Sequence, residues 1–296
     1  MTWINGQFQA PLPVSDRGLA YGDGIFETLA CINQKLHLWS RHWQRLQQGA
    51  KQLALEVPEQ QTLLNWIEQA LAEKNNPSLA VVKIIITRGS GGRGYKSPEQ
   101  PQSRTIITIH PWPEHNDNDY QQGISALVCR TCLALQPSLA GIKHLNRLEQ
   151  VLAAQELSAN NCREGLMLEC TFAENDKPAK KIVTEGISSN LFFVSRGQLF
   201  TPEIIYSGVS GTIRSELLER AKALGIPLAT GRYEMQEVLN ADEVFFTNSI
   251  FGILPVSKII YQQGQKSRLY QQRDISMQLA KSLNPELQRP CQFITL

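Results

Sequence analysis

The sequence predicts a mixed α/β (α+β) chain of two domains, a smaller N-terminal α/β domain and a larger C-terminal β-rich domain. Three observations lead to that expectation. The chain has 296 residues, more than one ordinary domain usually holds. Strand-like and helix-like patterns alternate along it. Between Pro111 and Gly123 the run PWPEHNDNDYQQG has prolines, asparagines and aspartates but no apolar periodicity, which is the composition of a linker. The expected division is therefore 1–112 for the N-terminal domain, 113–123 for the linker and 124–296 for the C-terminal domain.

The elements follow in order. Ser40 suits an N-cap for a helix running to Leu53, with Trp43, Leu46, Ala50 and Leu53 on its apolar face. Arg41 and Arg45 lie one turn apart, away from the centre of that face. A second helix is expected over Gln61–Glu73. VVKIIITRG, Val81 to Gly89, reads as a buried strand because β-branched residues dominate it and a glycine-rich break ends it. Thr105–Ile109 is a strand suited to pair with it. Past the linker, strands are expected at Ile124–Val128, Gly165–Glu169, Leu191–Val194 and Glu243–Thr247, with helices over Asn146–Ser158 and Thr212–Leu224. Ala173–Lys181, AENDKPAKK, reads as an exposed hairpin turn. No internal repeat or low-complexity tract is present.

Composition excludes several classes of function. Hydrophobic residues make up 42% and charged residues 19%, enough apolar material for a sizeable core. The 29 basic and 27 acidic residues leave a net charge of +2, too balanced for a chain whose main partner is a nucleic acid. No apolar run reaches the roughly 18 residues that cross a bilayer. The N-terminus lacks the basic flank and apolar block of a secretory signal. The expectation is a cytoplasmic protein without membrane or nucleic-acid partners. Six scattered cysteines do not resemble a disulfide framework and suit a reducing compartment. Cys129 and Cys132 form one C-x-x-C, but a complementary ligand pair is missing, so no metal is expected and ordinary buried or edge cysteines are.

Four strings can bear chemistry. Lys143 follows the small and apolar Leu139, Ala140, Gly141 and Ile142 and precedes an amphipathic helix. Partial desolvation there favours a free amine, a nucleophile or base; a lysine snorkelling to water would have the same surroundings. Glu185, in KKIVTEGISSNLFFV, stands at the end of a short β-rich run, where a carboxylate could hold a proton on a heterocyclic nitrogen or simply occupy a turn. SGVSGTIRSELLERAKALG runs from a small-residue loop into a helix, leaving the N–H groups of Gly211, Thr212 and Ile213 to face an anion at the positive end of the dipole. Thr247, Asn248 and Ser249 just after a strand can donate further bonds, and Arg45 can supply a forked cation. Such helix starts also occur without ligands. RGSGGRGY, Arg88 to Tyr95, lets backbone approach a ligand while presenting cations. It is neither a dinucleotide fingerprint nor a P-loop, and carboxylate binding suits it better than nucleic acid.

Taken together, these strings resemble the fold-type IV pyridoxal-phosphate enzymes, the group of branched-chain and D-amino acid aminotransferases. Within it the chain is most similar to the 4-amino-4-deoxychorismate lyases. The resemblance covers nearly the full length in order: INGQ, VSDRG, YGDGIFET, HWQRL, RGSGGRGY, LAGIKHLNRLEQVL, TEGISSNLF and SGTIR. YGDGIFET and TEGISSNLF are shared across the group, whereas RGSGGRGY and GIKHLNRLEQ are closer to the lyases. Gly186 and Ile187 after the glutamate follow a pattern that transaminases also use.

The resemblance implies a role for each matching residue. Lys143 would bind pyridoxal 5'-phosphate covalently and Glu185 would pair with its ring nitrogen. Arg45, with the Gly211, Thr212 and Ile213 segment and the Asn248 and Ser249 region, would hold the phosphate. Thr28 would be a proton donor on the substrate side. The implied reaction converts 4-amino-4-deoxychorismate to 4-aminobenzoate and pyruvate in folate biosynthesis. Two substrate carboxylates call for more than one cation, with Arg88, Arg93 and Arg104 as candidates. An aminotransferase of the same fold would share the steps up to the carbanion, and a non-catalytic anion-binding module is the alternative outside enzymes. The resemblance also implies a homodimer.

Overall fold

The computed structural model describes residues 2–114, 117–170, 181–262 and 264–283. Of the hairpin turn expected over 173–181, all but Lys181 lies outside the described residues. The chain divides into two compact units. The first runs to Pro113 and takes in Ile142–Arg147, and the second comprises Glu114–Gly141 and the chain from Leu148 on.

In the first unit, β1 (Thr2–Ile4), β2 (Gln7–Phe8), β3 (Gly24–Ile32), β4 (Lys35–Leu36), β5 (Leu79–Thr87) and β6 (Arg104–Pro111) form one antiparallel sheet. Its order is β2-β1-β6-β5-β3-β4. The expected pairing of the two β-branched runs is its centre, with Ile84 opposite Ile107. The short α1 (Arg17–Tyr21) is capped by Asp16, whose carboxylate accepts the Gly18 N–H. The helices α2 (Trp39–Leu53) and α3 (Gln60–Ala72) bring Leu46, Ala50, Leu63 and Ile67 to the core made with Leu29, Val82 and Ile84.

Two details depart from expectation. Leu38, at φ 52°, precedes α2, and no side chain caps the helix. The chain reaches α2 straight from the β3–β4 hairpin, whose Asn33 and Gln34 both have positive φ, so the helix begins before Ser40. Arg45, expected away from the centre of the apolar face, is buried beside Leu46.

The second unit contains α4 (Asp117–Gln122), β7 (Ile124–Leu133), α5 (Leu148–Asn160), β8 (Glu164–Cys170), β9 (Lys181–Gly186), β10 (Asn190–Ser195) and β11 (Gln198–Pro202). There follow α6 (Thr212–Ala223), β12 (Leu228–Gly231), β13 (Tyr233–Glu234), α7 (Met235–Leu239), β14 (Glu243–Asn248), β15 (Gly252–Tyr261), β16 (Lys266–Leu269) and α8 (Asp274–Ser282). The strands form a mixed sheet in the order β12-β11-β10-β14-β15-β7-β8-β9-β13, with β16 on β15. A further pairing, Asn190 with Glu185, joins β10 to β9 and closes β10, β14, β15, β7, β8 and β9 into a ring. Phe193, Phe246, Leu166, Val183 and Val244 pack in its core.

The segment expected as a linker contains α4, and Tyr120 on it is buried with its hydroxyl donating to the Phe251 carbonyl. Its polar composition reflects the exposed faces of a short helix, not a free connection. The lysine segment, expected within the C-terminal domain, packs in the first unit because it lies along the edge of β3. There the Phe26 N–H donates to the Lys143 carbonyl at 2.8 Å and the Leu145 N–H to the Gly24 carbonyl at 3.0 Å. Cys31, Cys129 and Cys162 are free, whereas Cys132 is disulfide-bonded, which corrects the expectation of ordinary thiols throughout. Burial, with nearby Glu156, Glu164 and Cys162, pushes the Cys129 thiol up to about 12, so it behaves as a small apolar residue. No helix among the described residues is long and apolar enough to cross a membrane.

Candidate active site

In the first unit the site is built on β3. Alternation sends Phe26 and Thr28 to the half-buried face and Ile25, Glu27 and Leu29 to the core. Lys143, fixed by its carbonyl to the Phe26 amide, places its Nζ 4.5 Å from the centre of the Phe26 ring. Arg147 bonds back onto the same segment, from Nε to the His144 carbonyl at 2.9 Å, and its guanidinium lies 5.8 Å from the Phe26 ring. The lysine is thus held against an aromatic face, with a second cation beside it. Burial, with these cations, holds His144 down at about 4, so its ring is neutral at neutral pH.

Glu27 is the unexpected member. Its side chain is 2% exposed and accepts from Arg45 Nε at 2.8 Å on Oε1 and from Arg45 Nη2 at 2.5 Å on Oε2. His42 Nδ1 lies 2.6 Å from Oε2. Burial alone would raise this carboxyl, but the Arg45 charge and the Arg45 and His42 hydrogen bonds outweigh it and hold the pKa at about 2. Burial lowers His42 despite the attraction of Glu27, so the imidazole is a neutral donor. The signal for Glu27 was present in YGDGIFET as a carboxylate on the apolar side of an alternating strand, flanked two residues away by Ile25 and Leu29.

In the second unit Glu185 sits where the ring of strands closes. Register aligns Glu185, Asn190 and Thr247 across β9, β10 and β14, so their side chains share one face. The Val209 N–H donates to Glu185 Oε2 at 2.8 Å, and Asn190 Nδ2 donates to the Val209 carbonyl at 2.8 Å. Thr247 is 1% exposed and its Oγ1 has no partner among the described residues. Gly211, the N-cap of α6, makes no side-chain cap bond to the start of the helix. Arg214, one turn on, is buried, with Nε on Thr201 Oγ1 and Nη2 on the Pro202 carbonyl. Burial lowers its pKa while the Glu185 charge acts in the opposite sense.

Two other members differ from expectation. The Asn248 side chain is committed to its own turn: Oδ1 accepts the Ile250 and Phe251 N–H groups and Nδ2 donates to the Ser188 carbonyl. It shapes the loop, and Ser249 stands half-buried beside it. Glu164, which sequence reasoning missed, is buried and accepts from the Gly165 and Ile187 amides and the Ser188 and Ser189 hydroxyls. It ties down the turn that follows Glu185. Burial outweighs these donors and raises its pKa.

The three arginines expected for substrate differ sharply. Arg88 is buried, forked onto Asp23 at 2.8 and 3.0 Å and bonded to the Leu53 and Ala54 carbonyls at the end of α2. It anchors a helix C-terminus. Arg104 pairs with the buried Asp16, which also accepts the Thr87 hydroxyl. Both act as internal braces, because burial next to a carboxylate demands compensation. Arg93 is exposed, without an ion pair or hydrogen bond among the described residues. Its loop wraps the Arg17 guanidinium, which donates to the Gly94, Tyr95 and Lys96 carbonyls. Gly92, at φ 77°, permits that turn, since a Cβ there would meet the Lys96 carbonyl oxygen at 2.3 Å.

Comparison with known proteins places the chain among its relatives. The chain is 35% identical over 260 residues to an aminodeoxychorismate lyase of Vibrio harveyi, covering 88% of this chain and 91% of that one. It is 30% identical over 264 residues to a putative branched-chain-amino-acid aminotransferase of Methanocaldococcus jannaschii, covering 87% of each. Among solved structures, 4-amino-4-deoxychorismate lyase from Pseudomonas aeruginosa superposes with a TM-score of 0.84 at 41% identity, covering 97% of this chain and 100% of that one. The family model for class IV amino-transferases matches residues 24–259, and the chain belongs to that family, the fold-type IV group.

Proposed function

We propose that this chain is a pyridoxal-phosphate-dependent aminodeoxychorismate lyase, releasing 4-aminobenzoate and pyruvate for folate biosynthesis. The observation that carries the cofactor assignment is the row of Glu185, Asn190 and Thr247. It joins a carboxylate fixed by a backbone amide to a buried hydroxyl lacking a partner among the described residues, next to an uncapped helix start. Those donors and that carboxylate fit a phosphorylated pyridine. Likeness to the Pseudomonas and Vibrio lyases over nearly their whole lengths supports the lyase over the transaminase.

Pyridoxal phosphate, when bound, supplies an aldehyde that joins amines reversibly and a ring that accepts an electron pair. Lys143 Nζ would be the amine that holds it and the base that takes the proton from the substrate carbon bearing nitrogen. Glu185 keeps the ring nitrogen protonated, so that the ring draws electrons more strongly. Arg45, the Thr212 and Ile213 amides and Ser249 hold the phosphate. Thr28 Oγ1, on the half-buried face of β3 with Phe26, delivers a proton to the departing enolpyruvyl group. Arg93 binds a substrate carboxylate. Loss of pyruvate leaves an aromatic ring, which makes the elimination strongly downhill.

We also place the protein in the cytoplasm as a homodimer. Leu148, Val151 and Leu152 are exposed on one side of α5, an apolar stripe that a second copy would cover. Two assays test the whole reading. Purified enzyme should absorb in the visible, and with aminodeoxychorismate alone, no keto acid being added, it should release 4-aminobenzoate and pyruvate in equal amounts. Product formation only from an amino acid plus a keto acid would make it an aminotransferase; a colourless protein that gains no absorbance with pyridoxal phosphate would make it a binding module. Light scattering at the monomer mass would remove the dimer.

A further inference from the structure

Glu27 occupies a position that an aliphatic residue would fill at lower cost. Its neighbours on the core side of β3 are Ile25 and Leu29, both buried, and α2 packs against that face through Leu46 and Ala50. Taking a carboxylate and a guanidinium out of water costs several kcal/mol per ion, and an apolar replacement of such a pair is often neutral or stabilising. The sheet itself therefore gives no reason for the charge. The bonds give one. Two of the five N–H groups of Arg45 are committed to the two Glu27 oxygens, which fixes the plane of the guanidinium. His42, three residues before Arg45 on α2, holds Glu27 from a second direction.

The electrostatics restrict what Glu27 can contribute. His42 is neutral, so Glu27 cancels the charge of Arg45 instead of adding to its pull on an anion. A group that only attracted phosphate would be better off without that carboxylate. The gain must lie in orientation: a planar fork held at one angle keeps its bidentate geometry, and less freedom is lost when a phosphate docks.

We propose that Glu27 is a positioning residue that aims the Arg45 fork at the cofactor phosphate, with His42 steadying Glu27. The inference rests on the phosphate role assigned to Arg45 above. Counter-charge and orientation predict opposite signs. If Glu27 were only a counter-charge, its removal would tighten phosphate binding; if it aims the fork, removal loosens it.

Titrating apo-protein with pyridoxal phosphate and with pyridoxal, which lacks the phosphate, measures the phosphate-dependent preference directly and needs no turnover. Glu27→Gln should reduce that preference about 10-fold, less than the full loss of a charge-assisted bond, and leave pyridoxal affinity unchanged. Glu27→Asp, which keeps the charge but shortens the reach, should also lose preference. The double variant Glu27→Gln, Arg45→Ala should bind no more weakly than Arg45→Ala alone, because Glu27 acts only through the arginine. Tighter or unchanged binding by Glu27→Gln, beside a clear loss in Arg45→Ala, overturns the positioning role and leaves the phosphate site standing. Additive losses in the double variant overturn it too. An unchanged preference in Arg45→Ala removes the phosphate role of Arg45 itself, and this inference with it. If Glu27→Gln does not fold, Glu27→Asp carries the same comparison.

Discussion

Gly211 lies so close to Asn190 that a Cβ built on it would come within 1.8 Å of the Asn190 Oδ1. Its φ of −64° suits any residue, so the need for glycine is one of space. Asn190 also donates to the Val209 carbonyl, and the Val209 amide holds Glu185, so one contact couples the start of α6 to the carboxylate. Gly211→Ala should push these apart, costing about 1–3 kcal/mol in stability from overpacking. Cofactor affinity should fall about tenfold or more. Thermal unfolding and a pyridoxal-phosphate titration check both; unchanged values in the alanine variant would show that the contact yields without consequence.

Lys143→Ala should abolish turnover and the adduct trapped by borohydride. The Lys143 carbonyl accepts the Phe26 N–H, which fixes the segment beside the Phe26 ring. Lys83 also reaches the Phe26 ring, 5.5 Å from its centre, and is the natural competitor. Peptide mapping of the reduced wild-type protein decides: a pyridoxyl group on Lys83 would falsify the assignment of Lys143.

Much of this architecture was legible because it is local. The β-branched runs at Val81 and Thr105 declare buried strands, and the small-residue loop before Thr212 declares a helix start. What was not legible is pairing at a distance. Arg88 beside its glycine-rich loop and Arg104 after it look like ligand cations, yet their carboxylates, Asp23 and Asp16, lie 65 and 88 residues earlier. Glu27 is the same case. Strand alternation marks it as facing the core, but only the packing of α2 on β3 shows that His42 and Arg45 meet it there. Lys143 stands out in the sequence as a candidate for chemistry, but nothing near it says that it runs along the edge of β3. Closure of the strand ring through Asn190 and Glu185 likewise depends on register, which a single strand does not carry.

Glu185→Gln should retain the cofactor and lose most of its turnover. The Gln amide still accepts from Val209 through its oxygen, so the fold of the loop survives while the negative charge opposite the ring nitrogen disappears. Loss of at least about 100-fold in kcat is expected, within the usual range for acid–base groups, with cofactor affinity within about threefold of wild type. Glu185→Asp should be intermediate. Near-native kcat in the Gln variant under saturating cofactor would remove Glu185 from the reaction.

Arg88 and Arg93 should separate cleanly by the kind of damage their loss does. Arg88→Met leaves Asp23 with half its arginine partners and the end of α2 without its donor, costing about 3–5 kcal/mol as for a broken buried pair. Arg93→Ala touches nothing inside and should leave the melting temperature unchanged while raising KM for the dicarboxylate substrate about tenfold or more. A lowered melting temperature in Arg93→Ala with KM intact would reverse the two roles.

Acid should expose the Glu27 cluster. The carboxyl has its folded pKa held at about 2, below the ordinary 4.5, so its contribution to stability is complete above about pH 4.5 and disappears as pH falls towards about 2. His42 is also lowered, from 6.5, so protonation favours the unfolded chain as pH drops below about 6.5, and the two groups act in the same direction. Asp23 is lowered too, because its bonds to Arg88 and Arg17 outweigh its burial, but that loss is common to any variant at position 27. The difference in unfolding free energy between wild type and Glu27→Gln isolates the cluster. It should be constant between about pH 6.5 and 8 and shrink steadily from about pH 4.5 to 3, where the carboxyl of the unfolded chain takes up a proton while the folded one stays ionised. Denaturant titrations at several pH values read it directly. A difference that grows on acidification would mean that Glu27 is already protonated in the folded protein, and the ion pair with Arg45 would have to be abandoned.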